Sequence, residues 1–359
     1  MSSLGWDEQF SSAFSDLDAL AGSCPGELVA ARVTRVDRGA GDALGADGPV
    51  RATFSGALLA AGAADPVSTP CVGDWIAVRL WPDGRITAEA VLPRRTAFVR
   101  GSVTPGSSSG QVLAANVDVA VVVEGLHPEP ELGRIERFLA LAWESGASPL
   151  VVLTKADLVP DPDGMRAEVA AAAQGVEVFA VSATTGVGLA EIAPYAATGV
   201  TLAFLGPSGA GKSTLTNALA GATLMATREL RADGKGRHTT VHRELVMLPG
   251  GGLVIDTPGL RSVGLTDVAE SLELVFSEVE ALTELCKFGD CAHRTEPGCA
   301  VLAAVESGEL PERRLESYRK LLKEVRWIAM RHDARLRQQE LAKWKRMSKA
   351  VRASGRIRP

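Results

Sequence analysis

Long apolar runs are missing from this chain. Nothing in its 359 residues approaches the roughly 20 consecutive apolar positions that span a bilayer, so no membrane partner is expected. The stretch Met1-Ser2-Ser3-Leu4-Gly5-Trp6-Asp7-Glu8 lacks the basic start and apolar centre of a secretory signal, which makes cytoplasm the expected location. Cysteine is scarce and odd in number, at five, which does not suit a disulfide framework. Positive charge is short as well. The net charge of −5 taken alone argues against nucleic acid, and no DNA is expected as a partner.

What is present reads as globular. Hydrophobic residues make up 46% and charged ones 23%, and the length allows two or three domains. The charge is divided unevenly. Residues 311–359 carry 16 Lys/Arg against 5 Asp/Glu, while the remainder carries 22 against 38. A basic tail on an acidic body suggests a polyanion for the tail, such as RNA phosphates; a solvated helix face is the plainer alternative.

The chain is organised around Gly206-Pro207-Ser208-Gly209-Ala210-Gly211-Lys212-Ser213-Thr214, which fits G-x-x-x-x-G-K-[ST]. The apolar run 200–205 precedes it as a strand and a helix start follows. Glycines let the loop amides turn inward around phosphates, Lys212 reaches the β/γ-phosphates, and the Ser213 hydroxyl ligates Mg²⁺. Thr154-Lys155-Ala156-Asp157 ends another strand of the same sheet. A carboxylate there accepts from guanine N1–H and N2–H₂ and would face adenine unpaired, which selects GTP or GDP over ATP. The Lys155 stem packs across the base. Ser182-Ala183 follows a third strand as base support. Asp256-Thr257-Pro258-Gly259 matches D-x-P-G, with Asp256 holding Mg²⁺ through water and the Gly259 amide on the γ-phosphate. Between them, Thr239 or Thr240 supplies a further Mg²⁺ ligand; Thr240 is chosen by a narrow margin.

The motifs thus run G4, G5, G1, G2, G3. Cutting an ordinary GTPase domain after its third motif and joining the old ends gives this rotated order. Before it, residues 27–100 carry short strands at 28–36, 50–54, 74–80 and 85–91 with a hairpin signal at Pro82-Asp83-Gly84. They suit a five-stranded OB-type barrel, with another small barrel or an SH3-like fold nearly as compatible. After it, Cys286-x₄-Cys291-x-His293-x₅-Cys299 offers three thiols and an imidazole, a donor set for one structural, tetrahedral Zn²⁺.

This combination resembles the bacterial ribosome small-subunit-dependent GTPases, the RsgA or YjeQ type, over about residues 27–330. Thr154 departs from the usual Asn of N-K-x-D. The resemblance implies an all-β OB-fold barrel, a circularly permuted α/β P-loop GTPase domain and a zinc-binding helical domain. It also implies slow GTP hydrolysis stimulated by the small (30S) subunit, with 16S rRNA and assembly proteins as partners during late maturation. The expected division is a loosely held lead-in at 1–26, the barrel at 27–100, a linker at 101–115, the GTPase domain at 116–268, the zinc domain at 269–340 and a basic tail at 341–359. Leu260 occupies the place where many GTPases carry a water-orienting Gln, so His238 is the candidate replacement, with RNA contact or simple solvation as the alternative. A monomer is the default. An RNA-binding scaffold that holds GTP without turning it over, and an ATP-dependent kinase or ATPase, are the competing readings.

Overall fold

The computed structural model describes residues 1–21, 24–100, 110–222, 243–256 and 269–332. His238, Thr239, Thr240, Thr257 to Leu260 and the 341–359 tail lie outside the described residues. Asp256 is described through its backbone as the end of a strand.

Strands β1 (Glu27–Asp37), β2 (Ala40–Gly45), β3 (Gly48–Phe54), β4 (Trp75–Leu80) and β5 (Ile86–Val91) close a barrel in the order β1-β2-β3-β5-β4. All neighbours are antiparallel except β3 and β5. Its inside is filled by small and branched side chains, among them Ala31, Val33, Ala52, Ile76 and Val78. The sequence pattern left out β2, because Ala40-Gly41-Asp42-Ala43 reads as a turn; ladder pairing to β1 and β3 overrides that weak propensity.

Two stretches differ from expectation. The lead-in is not loose: α1 (Glu8–Ala21) packs on the barrel, with Phe10 buried and Trp6 edge-on to Trp75 at 4.7 Å. Burying an aromatic of that size stabilises by about 2 kcal/mol, enough to hold a short helix. The expected linker contributes a strand, since β7 (Gln111–Ala115) pairs with β6 (Ala97–Arg100). A short helix, α2 (Gly56–Ala64), capped by the Ser55 side chain, sits between β3 and β4.

The central sheet runs β10-β9-β8-β11-β13-β12, from β8 (Val119–Gly125), β9 (Ser148–Thr154), β10 (Val178–Ala180), β11 (Thr201–Leu205), β12 (Glu244–Met247) and β13 (Leu253–Asp256). It is parallel apart from β12 against β13. Both faces are covered, which is why β8 and β11 are mostly apolar, with unbroken runs at 119–123 and 202–205. The helices are α3 (Leu132–Ser145), α4 (Pro162–Ala172), α5 (Leu189–Ile192) and α6 (Lys212–Ala220). Successive strands step outward from β8 to β10, then β11 returns to the other side of β8. That reversal makes the carboxyl ends of β8 and β11 the switch point where such sheets bind ligands.

The C-terminal region is helical: α7 (Ala269–Val275), α8 (Ser277–Thr283), α9 (Ala300–Ser307) and α10 (Glu312–His332). Leu315, Tyr318 and Leu321 form the buried side of α10. One core runs from Leu4 and Phe10 through Trp75, β8 and α3 to Leu321, so these parts share an interior.

Candidate active site and metal centre

The P-loop leaves the end of β11 and closes into α6. Gly206 lies so near β8 that a Cβ on it would stand 2.1 Å from the Val123 carbonyl, and its φ of 151° admits only glycine. Pro207, Ser208 and Gly209 form the outer turn, Ala210 is buried, and Gly211 caps α6 in the left-handed region. Lys212 donates to the carbonyls of Gly206 (2.9 Å) and Pro207 (2.7 Å), folded along the loop it serves. Ser213 and Thr214 follow in the first turn of α6, the end of a helix that suits an anion.

Thr154 is buried at the end of β9, and its hydroxyl lies 2.5 Å from the Ala210 carbonyl and 3.3 Å from that of Glu124. The residue that replaces the usual Asn therefore ties one motif to the P-loop. Lys155 adopts φ 62°, which turns its side chain across the end of β8 so that Nζ donates to the His127 carbonyl at 2.9 Å. Ala156 donates its amide to Val181 at 3.1 Å, which draws this loop onto the segment bearing Ser182-Ala183. The Asp157 carboxyl is held below its ordinary pKa, first by the Ser182 hydroxyl, with burial opposing, and then by its own backbone amide and the Thr184 hydroxyl. Ser182 is itself buried, and its Oγ lies 2.9 Å from Thr184 Oγ1. Thr184 was not read from the sequence, although the polar run Ser182-Ala183-Thr184-Thr185 carries the signal. The structure thus brings together the P-loop, residues 154–157 and residues 182–184.

The four candidate metal ligands meet in the loop before α9. Cys286, Cys291, His293 and Cys299 offer ligand atoms that all lie within 4.8 Å of one another. Cys286 and Cys299 sulfurs are 3.8 Å apart, and His293 Nδ1 is 3.6 and 3.4 Å from them. Tetrahedral bonds of about 2.3 Å require a sulfur–sulfur edge of about 3.8 Å, so the donor set fits. Cys299 caps α9, its sulfur accepting from the Leu302 amide. Burial lowers the His293 pKa, which favours the neutral imidazole that a metal needs. The backbone there is shaped by Glu296, whose carboxylate accepts from the Ala292, Arg294 and Thr295 amides and is pulled down to about 2 by them. Sequence reading gave Glu296 no role.

A sequence model described as RsgA GTPase matches residues 91–266. The small ribosomal subunit biogenesis GTPase RsgA of Streptomyces coelicolor is 52% identical over 96% of this chain and 92% of its own length. The chain belongs to the RsgA GTPase family. The RsgA of Opitutus terrae is 45% identical over 99% of this chain and 98% of its own length. Among solved structures, YjeQ from Thermotoga maritima shares 28% identity and a TM-score of 0.62 over 83% of this chain and 99% of its own. YloQ, described as a circularly permuted GTPase, shares 27% identity and a TM-score of 0.57 over 83% and 95%. Family membership makes the protein a GTPase, and the rotated motif order is that of a circularly permuted domain.

Proposed function

We propose that this GTPase acts on the small ribosomal subunit, hydrolysing GTP as a late step of its maturation. The observation that supports the nucleotide reading is the Thr154–Ala210 bond, which ties the end of β9, where the Asp157 loop begins, to the P-loop leaving β11, on either side of β8. Asp157 accepts from the guanine edge, Lys155 lines the base, and Ser182 and Ala183 support it from behind. Residues 206–214 cradle the phosphates; the two carbonyls on Lys212 are neutral acceptors that a phosphate oxygen readily replaces. Ser213, Thr240 and Asp256 hold Mg²⁺, which neutralises charge developing on the phosphates. Gly259 meets the γ-phosphate. With Leu260 unable to orient water, intrinsic turnover is slow and His238 is the proposed water-orienting group. The Cys286, Cys291, His293 and Cys299 cluster holds one structural Zn²⁺, all four positions being filled by protein.

The small-subunit role is supported by the names of relatives that cover nearly the whole chain, and by the basic segment 311–359 suited to rRNA. Contacts with 16S rRNA and assembly proteins, action as a monomer and a cytoplasmic location complete the reading. The test is phosphate release from GTP by the full chain with and without purified small subunits. Stimulation is expected, with no competition from ATP. Lys212→Ala should abolish turnover, and His238→Ala should lower stimulated turnover while leaving GTP affinity nearly unchanged. Phosphate release indifferent to subunits, or ATP competing as well as GTP, would refute the reading.

A further inference from the structure

Four helices from two parts of the chain converge on one buried guanidinium. Arg314, in the first turn of α10, donates to Glu136 of α3 (2.8 Å), Glu278 of α8 (2.6 Å), the Ala172 carbonyl ending α4 (3.2 Å) and the Val275 carbonyl ending α7 (2.8 Å). It lies 4.4 Å from the centre of the Phe276 ring. Arg313 adds a second bond to the same Glu136 oxygen at 2.8 Å, and farther along α10 Glu324 takes Arg137 of α3 at 2.8 Å. Glu136 is fully buried and Arg314 nearly so. Compared with a packed apolar contact, a buried ionic cluster of this kind contributes little net stability. What it supplies is geometry, because the planar guanidinium offers its N–H donors in fixed directions, to two carboxylates and two carbonyls.

From this joint the packing continues to the nucleotide loops. Arg134, in the first turn of α3, forks onto Glu124 at the end of β8 (2.6 and 3.0 Å). The Glu124 carbonyl lies against Thr154, which is bonded to Ala210 of the P-loop. A cleft of about 310 Å³ between α3 and α10 has P-loop residue Pro207 in its wall. The same α10 carries Arg319, which donates to the His293 carbonyl in the metal loop. One helix therefore touches the metal centre, the root of α3 and the neighbourhood of the P-loop.

We propose that the Arg314–Glu136 joint is a positioning device through which the small ribosomal subunit, bearing on the C-terminal region, accelerates hydrolysis in the GTPase domain. Nucleotide binding and intrinsic turnover do not need it. The inference rests on the small-subunit reading above.

The test uses the full zinc-loaded chain and purified small subunits. Arg314→Lys keeps the charge and loses the fork; Glu136→Gln keeps the shape and loses the charge. Both should leave GDP affinity and intrinsic turnover within about twofold, and lower the maximal subunit-stimulated rate about tenfold. The subunit concentration giving half-stimulation should move less than about threefold, because the docking surface is untouched. Arg137→Glu should lower the stimulated rate in the same way, and adding Glu324→Arg should restore it, a rescue that general loosening would not show. Unchanged stimulation in the first two variants overturns the proposal, as does a parallel fall of intrinsic and stimulated rates. Should Arg314→Lys fail to fold, the partly exposed Arg137–Glu324 pair decides, with unaltered stimulation after charge reversal as the refuting result. If the unaltered protein is not stimulated at all, the parent reading falls and this inference with it.

Discussion

Buried arginines join each end of the chain to its neighbours, and the two choose different partners. Among the described residues, the hydrogen bonds of Arg32 of β1 go to carbonyls: Gly73 at 3.3 Å, Asn116 at 2.9 Å and Leu4. Trp75 lies beneath it, its ring centre 5.7 Å away. Burial lowers its pKa to about 10, so it remains protonated at neutral pH. Arg314 meets two carboxylates besides its two carbonyls. Carbonyls in strands and turns cannot swing away, and Gly73 leaves no slack: a Cβ there would lie 2.1 Å from the Ala115 carbonyl and 2.9 Å from Ile255. The barrel is on a fixed mount. The C-terminal region hangs on directed side-chain bonds to helices α3 and α8, and that is the mount placed to carry a signal to α3.

Zinc removal should separate the mounts most sharply. Metal-binding free energy of about 10 kcal/mol or more is folding free energy for so small a segment. Chelation is therefore expected to unfold residues 284–300 and release α9, while the barrel, held by its own interior, keeps its protection. Amide exchange measured before and after chelation checks this. Equal loss of protection in β1–β5 would erase the distinction between the two mounts.

Arg32→Met comes next. It leaves the Leu4 and Asn116 carbonyls without their buried donor, while Gly73 still receives Asn116 Nδ2 at 3.1 Å. A loss of about 3 kcal/mol is expected, read as a lower urea midpoint and faster exchange in α1 and β1. The ratio of stimulated to intrinsic turnover should not move. A fall in that ratio like the one expected for Arg314→Lys would mean that both mounts transmit.

Neither arginine could have been picked out from the sequence. Arg32 reaches Asn116 across 84 positions and Arg314 reaches Glu136 across 178, and no local pattern marks such partners. Contiguous chemistry was legible by contrast. The P-loop, Thr154 to Asp157, and the cysteine and histidine spacing announce themselves because loop geometry or metal size dictates their residue types. The strand run 200–205 was readable because burial on both faces keeps it almost wholly apolar. Strand β2 and α1 were not, since their order comes from neighbours rather than propensity. In the site the base-facing residues were legible, whereas the Thr154–Ala210 tie and Thr184 depended on how loops from three strands meet.

Changes confined to the nucleotide site should disturb neither mount. Thr154→Val keeps the shape at the end of β9 and removes the hydroxyl 2.5 Å from the Ala210 carbonyl. A loss of about 1 kcal/mol is expected, roughly fivefold weaker GDP binding by titration. Urea midpoint and zinc content should stay as they were. A drop in global stability as large as that of Arg32→Met would show that the tie belongs to the mounts after all.

The smallest effect concerns pH. Hydroxyls of Ser182 and Thr184 depress the Asp157 pKa, so the carboxylate they stabilise is favoured in the folded protein above the ordinary carboxylate value of about 3.9. As pH falls below that value the contribution fades, and it is gone once Asp157 is protonated in the fold as well. GDP affinity should therefore hold through mildly acidic conditions and decline only at the acid end. Ser182→Ala removes the leading cause and should move that decline upward in pH; Thr184→Ala should move it less. The acid limb of GDP binding, followed by titration at a series of pH values in the same buffer ionic strength, gives the order. A Thr184→Ala shift exceeding that of Ser182→Ala would reverse the assignment of which hydroxyl holds the carboxylate.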